Sequence, residues 1–146
     1  EAFKGAIDLG IAMQLTNIAR DVNEDKKHQR QYIKPDFHSI KKTINESEIF
    51  YQKSFNSISC IPIRSRFSVL VARRVYRKIG DCILKQKNSE NYNKAGKIYV
   101  PVFGKLIETF LSIFDFIKLL FVKKINHDNQ INHSILEEEI NLNERV

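Results

Sequence analysis

The chain has 146 residues, a formal net charge of +7, a sequence pI near 9.4 and 42% hydrophobic residues. That length accommodates one domain with a buried core and excludes two. The basic excess is spread as Lys over helices and loops without a reader motif, which argues against a nucleic-acid binder, and Cys60 and Cys82 lack metal-like spacing and secretory context, so both are expected as reduced thiols in or near the core.

The first predicted helix starts at the beginning of the chain and runs to Asp25. Asn17, Asp21 and Asp25 recur every four residues, and at about 100° per residue they fall with Gln14 along one face. Ile11, Leu15, Ile18 and Val22 form an apolar stripe beside them. An oxygen-rich row of this kind suits Mg²⁺, with Mn²⁺ as a substitute, because hard cations prefer carboxylates and share their remaining positions with substrate phosphates. A ligand with a phosphate head and an apolar tail fits both stripes. Spacing alone leaves a second reading open, a solvated face whose carboxylates pair with Arg20, Lys26 and Lys27.

Lys26 to Pro35 is predicted as a loop, since Pro35 biases Lys34 away from helical geometry. A helix is predicted from Ser39 to Ser57, with Ile40, Ile44, Phe50 and Phe55 inward, and Pro62 interrupts the pattern after it. Arg64 to Gln86 reads as the next long helix, burying Phe67, Leu70, Val71, Val75, Ile79, Ile83 and Leu84 and leaving Arg66, Arg73, Arg74, Arg77 and Lys78 as solvated charges. Gly80 within it predicts close helix packing. Lys87 to Lys94 is predicted as a flexible connection, and Pro101 as a helix start. Leu106 to Val122 is the most apolar stretch, but Glu108, Asp115 and Lys118 would each cost roughly 2.5–3.5 kcal/mol at a bilayer centre. A packed or membrane-touching helix is expected there, followed by a frayed or short-helical polar tail from Asn126 to Val146. His28, His38, His127 and His133 show no ligand pattern and are read as surface or loop residues. No phosphate-cradling glycine loop, nucleophile elbow or internal repeat is present in the sequence.

The run Asp8-Leu-Gly-Ile-Ala-Met-Gln-Leu-Thr-Asn-Ile-Ala-Arg-Asp-Val-Asn-Glu-Asp25, followed by Arg30-Gln-Tyr32, closely resembles the second aspartate-rich motif of the squalene and phytoene synthases, the isoprenyl diphosphate synthases that join two substrates head to head. The Tyr76-Arg-Lys-Ile-Gly-Asp81 run and the Lys97 to Leu106 segment resemble later parts of the same family, with Gln29 in place of a usual Gly and Lys97 in place of a usual Arg.

This resemblance implies an all-α fold, the C-terminal part of an isoprenoid-synthase helical bundle over residues 1–125, with a polar tail at 126–146. The chain opens in a helical pattern at Glu1 without an initiator Met, and no second aspartate motif occurs in it, so it is read as a carboxy-terminal fragment, inactive or nearly so alone. By the same resemblance Asn17, Asp21 and Asp25 would hold Mg²⁺, Asp21 and Asp25 would be catalytic, and Gln14, Arg20, Arg30 and Tyr32 would meet a prenyl diphosphate substrate. The implied reaction condenses two geranylgeranyl diphosphates to phytoene through a cyclopropylcarbinyl diphosphate. Alternatives are squalene or dehydrosqualene synthesis from farnesyl diphosphate, and a non-catalytic assembly factor sharing the fold. The intact Asn17, Asp21 and Asp25 row favours an enzyme over the last of these. A cytoplasmic location is expected, with peripheral contact at an anionic membrane surface.

Overall fold

The computed structural model describes residues 1–122 together with His127 and His133. Among the described residues every regular element is helical: α1 (Ala2–Arg20), α2 (Val22–Lys27), α3 (Phe37–Ser57), a 3-10 turn (Ile58–Cys60), α4 (Ile63–Leu84), α5 (Ser89–Ala95) and α6 (Val102–Leu120). The expected all-α class is what the chain adopts. The expected boundary between 125 and 126, and the tail beyond it, lie outside the described residues apart from the two histidines.

Local chemistry sets the helix starts. Asp36 caps α3 by accepting from the Ser39 backbone N–H at 2.8 Å and from the Ser39 hydroxyl at 2.9 Å, so the helix begins two residues before the predicted Ser39. Those bonds hold the Asp36 carboxyl below the usual carboxylate range. Pro62 and Pro101 occupy the cap positions of α4 and α6, one residue ahead of each first turn. The predicted flexible connection at Lys87 to Lys94 instead contains α5, because the Asn88 side chain caps it by accepting from the Asn91 N–H at 2.8 Å.

Helix α1 buries a stripe of small and short side chains: Gly5, Asp8, Ala12, Thr16 and Ala19. It runs antiparallel to α3, with Gly5 against Ser57 at one end and Thr16 against Tyr51 further along. A Cβ on Gly5 would lie 2.2 Å from the Ser57 Cβ, so only a hydrogen fits between these backbones. Thr16 donates its hydroxyl proton to the Ala12 carbonyl at 2.9 Å, which leaves the Tyr51 hydroxyl to donate to Thr16 Oγ1 at 3.0 Å. Burial pushes the Tyr51 phenol up to about 12.

Along the same buried stripe α3 also meets α4, again antiparallel, with Tyr51 touching both helices. A Cβ on Gly80 would come within 3.2 Å of Ile44 Cγ2, which accounts for a glycine inside a helix. Ala19, Val22, Ile40, Ile44, Ile79, Ile83, Tyr92, Ile98 and Val100 build the main core, and Ile58, Leu70 and Leu119 a second cluster.

Two arginines expected in solvent are structural. Arg73 is 4% exposed; it donates twice to the Tyr51 carbonyl, at 3.1 and 2.6 Å, and its guanidinium lies 4.9 Å from the Phe55 ring centroid. Burial lowers its pKa to about 10. Arg74 bridges Glu108 at 2.9 Å and Asp115 at 2.6 Å, both on α6. Helix α6 therefore turns Glu108, Ser112, Asp115 and Leu119 inward, while Phe103, Phe110, Phe114 and Phe121 are exposed. No described helix is long and apolar enough to cross a membrane.

Three expectations are corrected by burial. His127 and His133, read as surface or loop residues, are 9% and 1% exposed, drawn inward by contacts with the buried Asp8 carboxylate. Cys60, expected in or near the core, is exposed in the 3-10 turn, while Cys82 is half-buried; both are free thiols.

The Gly5 contact yields a stability test. Gly5→Ala forces α1 off α3 and is expected to lower the unfolding free energy by about 1–3 kcal/mol in urea denaturation, the scale of an overpacked core. Gly10→Ala, with no atom within 4 Å of its added methyl, is expected to be neutral or stabilising by up to about 1 kcal/mol through helix propensity.

Candidate functional site

The oxygen row does not ride on one uninterrupted helix. Helix α1 stops at Arg20, Asp21 adopts φ −102° and ψ 14°, and α2 begins at Val22. Continuity survives through the backbone, because the Asp21 N–H donates to the Asn17 carbonyl at 2.9 Å and the Asp25 N–H to the Asp21 carbonyl at 2.8 Å. The row thus keeps its four-residue spacing across a bend.

Tyr92 of α5 sits at that bend. Its hydroxyl lies 2.8 Å from both the Ala19 and the Arg20 carbonyl oxygens, to which it donates, and it interacts with the Val22 backbone. These carbonyls of the last turn would otherwise lack helical partners. Burial pushes the phenol up to about 12. The polar stretch around Tyr92 hid this role, although Asn88 three residues before Asn91 is a readable capping signal.

Around Asp21 the structure assembles positive charge. Arg20 binds its carboxylate as a fork, Nε to Oδ1 at 2.8 Å and Nη2 to Oδ2 at 2.7 Å. Lys97 stands 3.7 Å from Asp21 Oδ1 and 2.6 Å from Glu24 Oε2. Burial alone would raise the Asp21 pKa, but the Arg20 hydrogen bonds and charge, with Lys97, hold it below the usual range. Lys97, in turn, is raised chiefly by its bond to Glu24. Gly96 makes the approach of Lys97 feasible: with φ at +64° it reverses the chain after α5, so that Ile98 and Val100 enter the core while Lys97 and Tyr99 stay out. The expected partners Lys26 and Lys27 are exposed and pair with neither aspartate among the described residues. They also belong to α2 and not to the predicted loop.

The other predicted residues fall in two neighbouring places. Asp25, Arg30 and Tyr32 line one small pocket with Ile18 and Val22, and the Arg30 N–H donates to the Asp25 carbonyl at 2.9 Å. Gln29, at the usual glycine position, adopts φ 57° there, a left-handed geometry that glycine takes without strain. Gln14 lies apart from that pocket, exposed in an open groove of about 400 Å³ along α1 with Ala6, Ile7, Gly10, Ile11 and Leu15. Asn17 stands between the two places in sequence.

These residues fit a hard cation. The donors are oxygens, and Asn17 Oδ1 is buried without a hydrogen-bond partner, an acceptor whose burial a bound ligand would offset. The Arg20 fork uses one lone-pair site on each Asp21 oxygen and leaves the others for coordination.

The all-helical chain thus carries an open apolar groove along α1 and, further along the chain, an amide and two carboxylates, with Arg20 and Lys97 at Asp21. Comparison with known proteins gives relatives for such a chain. Residues 2–37 match the squalene/phytoene synthase family model. The 15-cis-phytoene synthase of Pantoea ananas is 30% identical over 96 residues, covering 51% of this chain and 31% of that protein. The 15-cis-phytoene synthase of Paracoccus sp. is 32% identical over 93 residues, covering 51% and 31%. Phytoene synthase 1, chloroplastic, of Solanum lycopersicum is 31% identical over 126 residues, covering 72% and 30%. These matches support the squalene/phytoene synthase family for this chain, which spans about a third of the length of these curated relatives. No solved structure matches it.

Tyr92→Phe keeps the ring and removes the bond at the bend. It is expected to lower the unfolding free energy by about 1 kcal/mol. The phenol, raised from 10.0 to about 12 in the folded chain, contributes stability that is complete below pH 10 and is lost as pH rises through 12. Urea titrations across that window should therefore show a shallower alkaline loss in the variant.

Proposed function

We propose that residues 1–125 form the carboxy-terminal part of a synthase domain that condenses two geranylgeranyl diphosphates head to head into phytoene, through a cyclopropylcarbinyl diphosphate. The observation that carries this reading is the apolar groove lined by α1 from Ala6 to Leu15, with Gln14 in it, on the helix that also carries Asn17 and leads along the chain to Asp21 and Asp25. A long hydrocarbon tail gains from the groove, and a diphosphate gains from the charged end. The names of the relatives supply the product class.

Asn17, Asp21 and Asp25 would hold Mg²⁺, or Mn²⁺ in its place, and the cation would neutralise charge on the diphosphate leaving group. Arg20 keeps the Asp21 carboxylate ionised and oriented. Arg30, on the loop after α2, is exposed and in reach of anionic oxygen entering the pocket, and a guanidinium meets phosphate with a planar fork. Tyr32, 60% exposed at the same pocket, is placed to cover it once a substrate arrives. Lys97 offers a point charge beside Asp21, so its grip on phosphate is less directional than an arginine's. Apolar walls from Ile11, Leu15 and Ile18 keep water from an allylic cation.

The exposed face of α6 supports a peripheral contact of this cytoplasmic enzyme with an anionic membrane. Phe103, Phe110, Phe114 and Phe121 are 74%, 61%, 51% and 76% exposed, and Lys105 and Lys118 lie exposed on the same helix. Aromatic insertion together with basic attraction is the chemistry of interfacial helices. Substrates with long prenyl chains partition into the same surface.

Two experiments test these readings. Mg²⁺-dependent conversion of geranylgeranyl and farnesyl diphosphates is measured with the complete synthase and with the 146-residue chain alone. Phytoene from geranylgeranyl diphosphate is expected with the complete synthase, negligible turnover with the chain alone, and a loss of about 10²-fold or more for Asp21→Ala, the scale of removing one electrostatic stabiliser. Preference for farnesyl diphosphate would shift the reading to squalene-type chemistry, and conversion of neither substrate by folded protein would favour the non-catalytic assembly factor. For the membrane contact, co-sedimentation with vesicles containing anionic lipid is expected to exceed that with neutral vesicles and to fall in Phe110→Glu; equal sedimentation of both proteins would remove it.

A further inference from the structure

Away from the oxygen row, on the opposite side of α1, the structure gathers a different set of ligand atoms. Asp8 is fully buried and precedes Asn17 by nine residues, which at 100° per residue places it about half a turn around the helix. Its Oδ1 is hydrogen-bonded to His133 Nε2 at 2.9 Å and its Oδ2 lies 3.1 Å from His127 Nε2. The imidazole side chains are 3% and 1% exposed, for His127 and His133. One ligand atom from each of the three residues falls within 4.8 Å of the others. His127 is tied to the start of the chain as well, its backbone N–H donating to Glu1 Oε2 at 3.0 Å.

Two features distinguish this cluster from a plain hydrogen-bonded one. Asp8 Oδ2 is buried and makes no hydrogen bond, although His127 Nε2 faces it at 3.1 Å. Asp8 Oδ2 therefore keeps a buried acceptor position that an ion would fill. The spacing of the rings suits such an ion. For a tetrahedral ion with metal–nitrogen bonds of about 2.0–2.1 Å, two imidazole centroids stand roughly 5.2 Å apart; the rings of His127 and His133 are 5.1 Å apart and inclined at 76°. Ligand atoms around such an ion lie roughly 3.3 Å from one another, so the contacts to Asp8 need open by only a few tenths of an ångström.

We infer that Asp8, His127 and His133 form a second cation site, for a borderline divalent ion of the Zn²⁺ type, that clasps the end of the chain to the buried face of α1. Two imidazole nitrogens and one carboxylate oxygen suit Zn²⁺ and are poor ligands for Mg²⁺, which prefers an all-oxygen shell. Three protein ligands leave a fourth position for water. The ion joins positions more than a hundred residues apart in the chain, so it constrains the unfolded state strongly, and it fixes the helix whose other face carries Gln14 and Asn17. The inference is independent of the proposed synthase activity, because it rests on residues outside the oxygen row.

The test uses the full chain, freed of metal with chelator, then titrated with Zn²⁺ and, as a spectroscopic probe, Co²⁺. One Zn²⁺ per chain is expected, with a rise in Tm, and Co²⁺ is expected to give intense tetrahedral visible bands that Zn²⁺ abolishes. In long-range ¹H–¹⁵N spectra two of the four histidines should shift on Zn²⁺ addition, a readout that needs no variant. His133→Gln and His127→Gln should each weaken binding by at least tenfold with the far-UV circular dichroism unchanged, whereas the double variant Asp21→Ala, Asp25→Ala and the variant Cys60→Ser should bind as the original does. Absence of the two histidine shifts would overturn the site and leave an Asp8–imidazole hydrogen-bonded cluster. Equal Zn²⁺ affinity in the folded histidine variants would overturn it as adventitious binding elsewhere.

Discussion

Everything at the candidate site depends on how closely α1 sits against α3. Gly5 against Ser57 and Thr16 against Tyr51 let the two backbones approach until only small groups separate them. A helix seated through its small residues must leave its large ones elsewhere. Ile7, Ile11, Leu15 and Ile18 are accordingly only partly buried, and they border the groove and the pocket in place of the core. The apolar stripe beside the oxygen row is therefore a consequence of close packing on the opposite face, and the same rotation that buries Ala12 and Ala19 presents Gln14 outward.

The second constraint is electrostatic. Two partly buried carboxylates at the end of a helix repel, and Asp21 additionally meets the negative end of the α1 dipole. The protein offsets this with Arg20 and Lys97 and with a bend that Tyr92 stabilises. Such an arrangement keeps Asp21 ionised without using every acceptor position it has, while Asn17 Oδ1 stays buried and unpaired. Spare acceptors beside cations are what the proposed binding of a cation with an anionic substrate would need.

Much of this was legible in the sequence, and the exceptions share a cause. Local signals held: the four-residue spacing of the row, the helix around Ile40 and Ile44, Gly80 facing Ile44, and Pro101 ahead of α6. What sequence reading missed was long-range pairing. Arg73 and Arg74 carry the composition of a solvated face, yet one holds the Tyr51 carbonyl and the other joins Glu108 to Asp115 across helices. Tyr92 lay in an Asn-rich stretch without periodicity, and its value comes from carbonyls more than seventy residues away. His127 and His133 gain meaning only from Asp8 at the other end of the chain. Helix periodicity reports which face is apolar, and it cannot report that α6 would turn its carboxylates inward toward arginine and lysine and Phe103, Phe110 and Phe114 out.

That inversion of α6 and the buried Asp8 on α1 follow the same rule. A carboxylate leaves water only where a cation or directed donor replaces its hydration. Glu108 and Asp115 find Arg74 and Lys78; Asp21 finds Arg20 and Lys97. Asp8, more buried than any of these, has only imidazoles within reach among the described residues. A divalent ion would engage both rings and the carboxylate at once, so the least solvated acid among the described residues is the candidate for a nitrogen-ligated metal. On the two proposals helix α1 would carry two kinds of cation chemistry on opposite faces, kept apart by half a turn and told apart by their donor atoms: oxygen in the row from Asn17, nitrogen and oxygen where His127 and His133 meet Asp8.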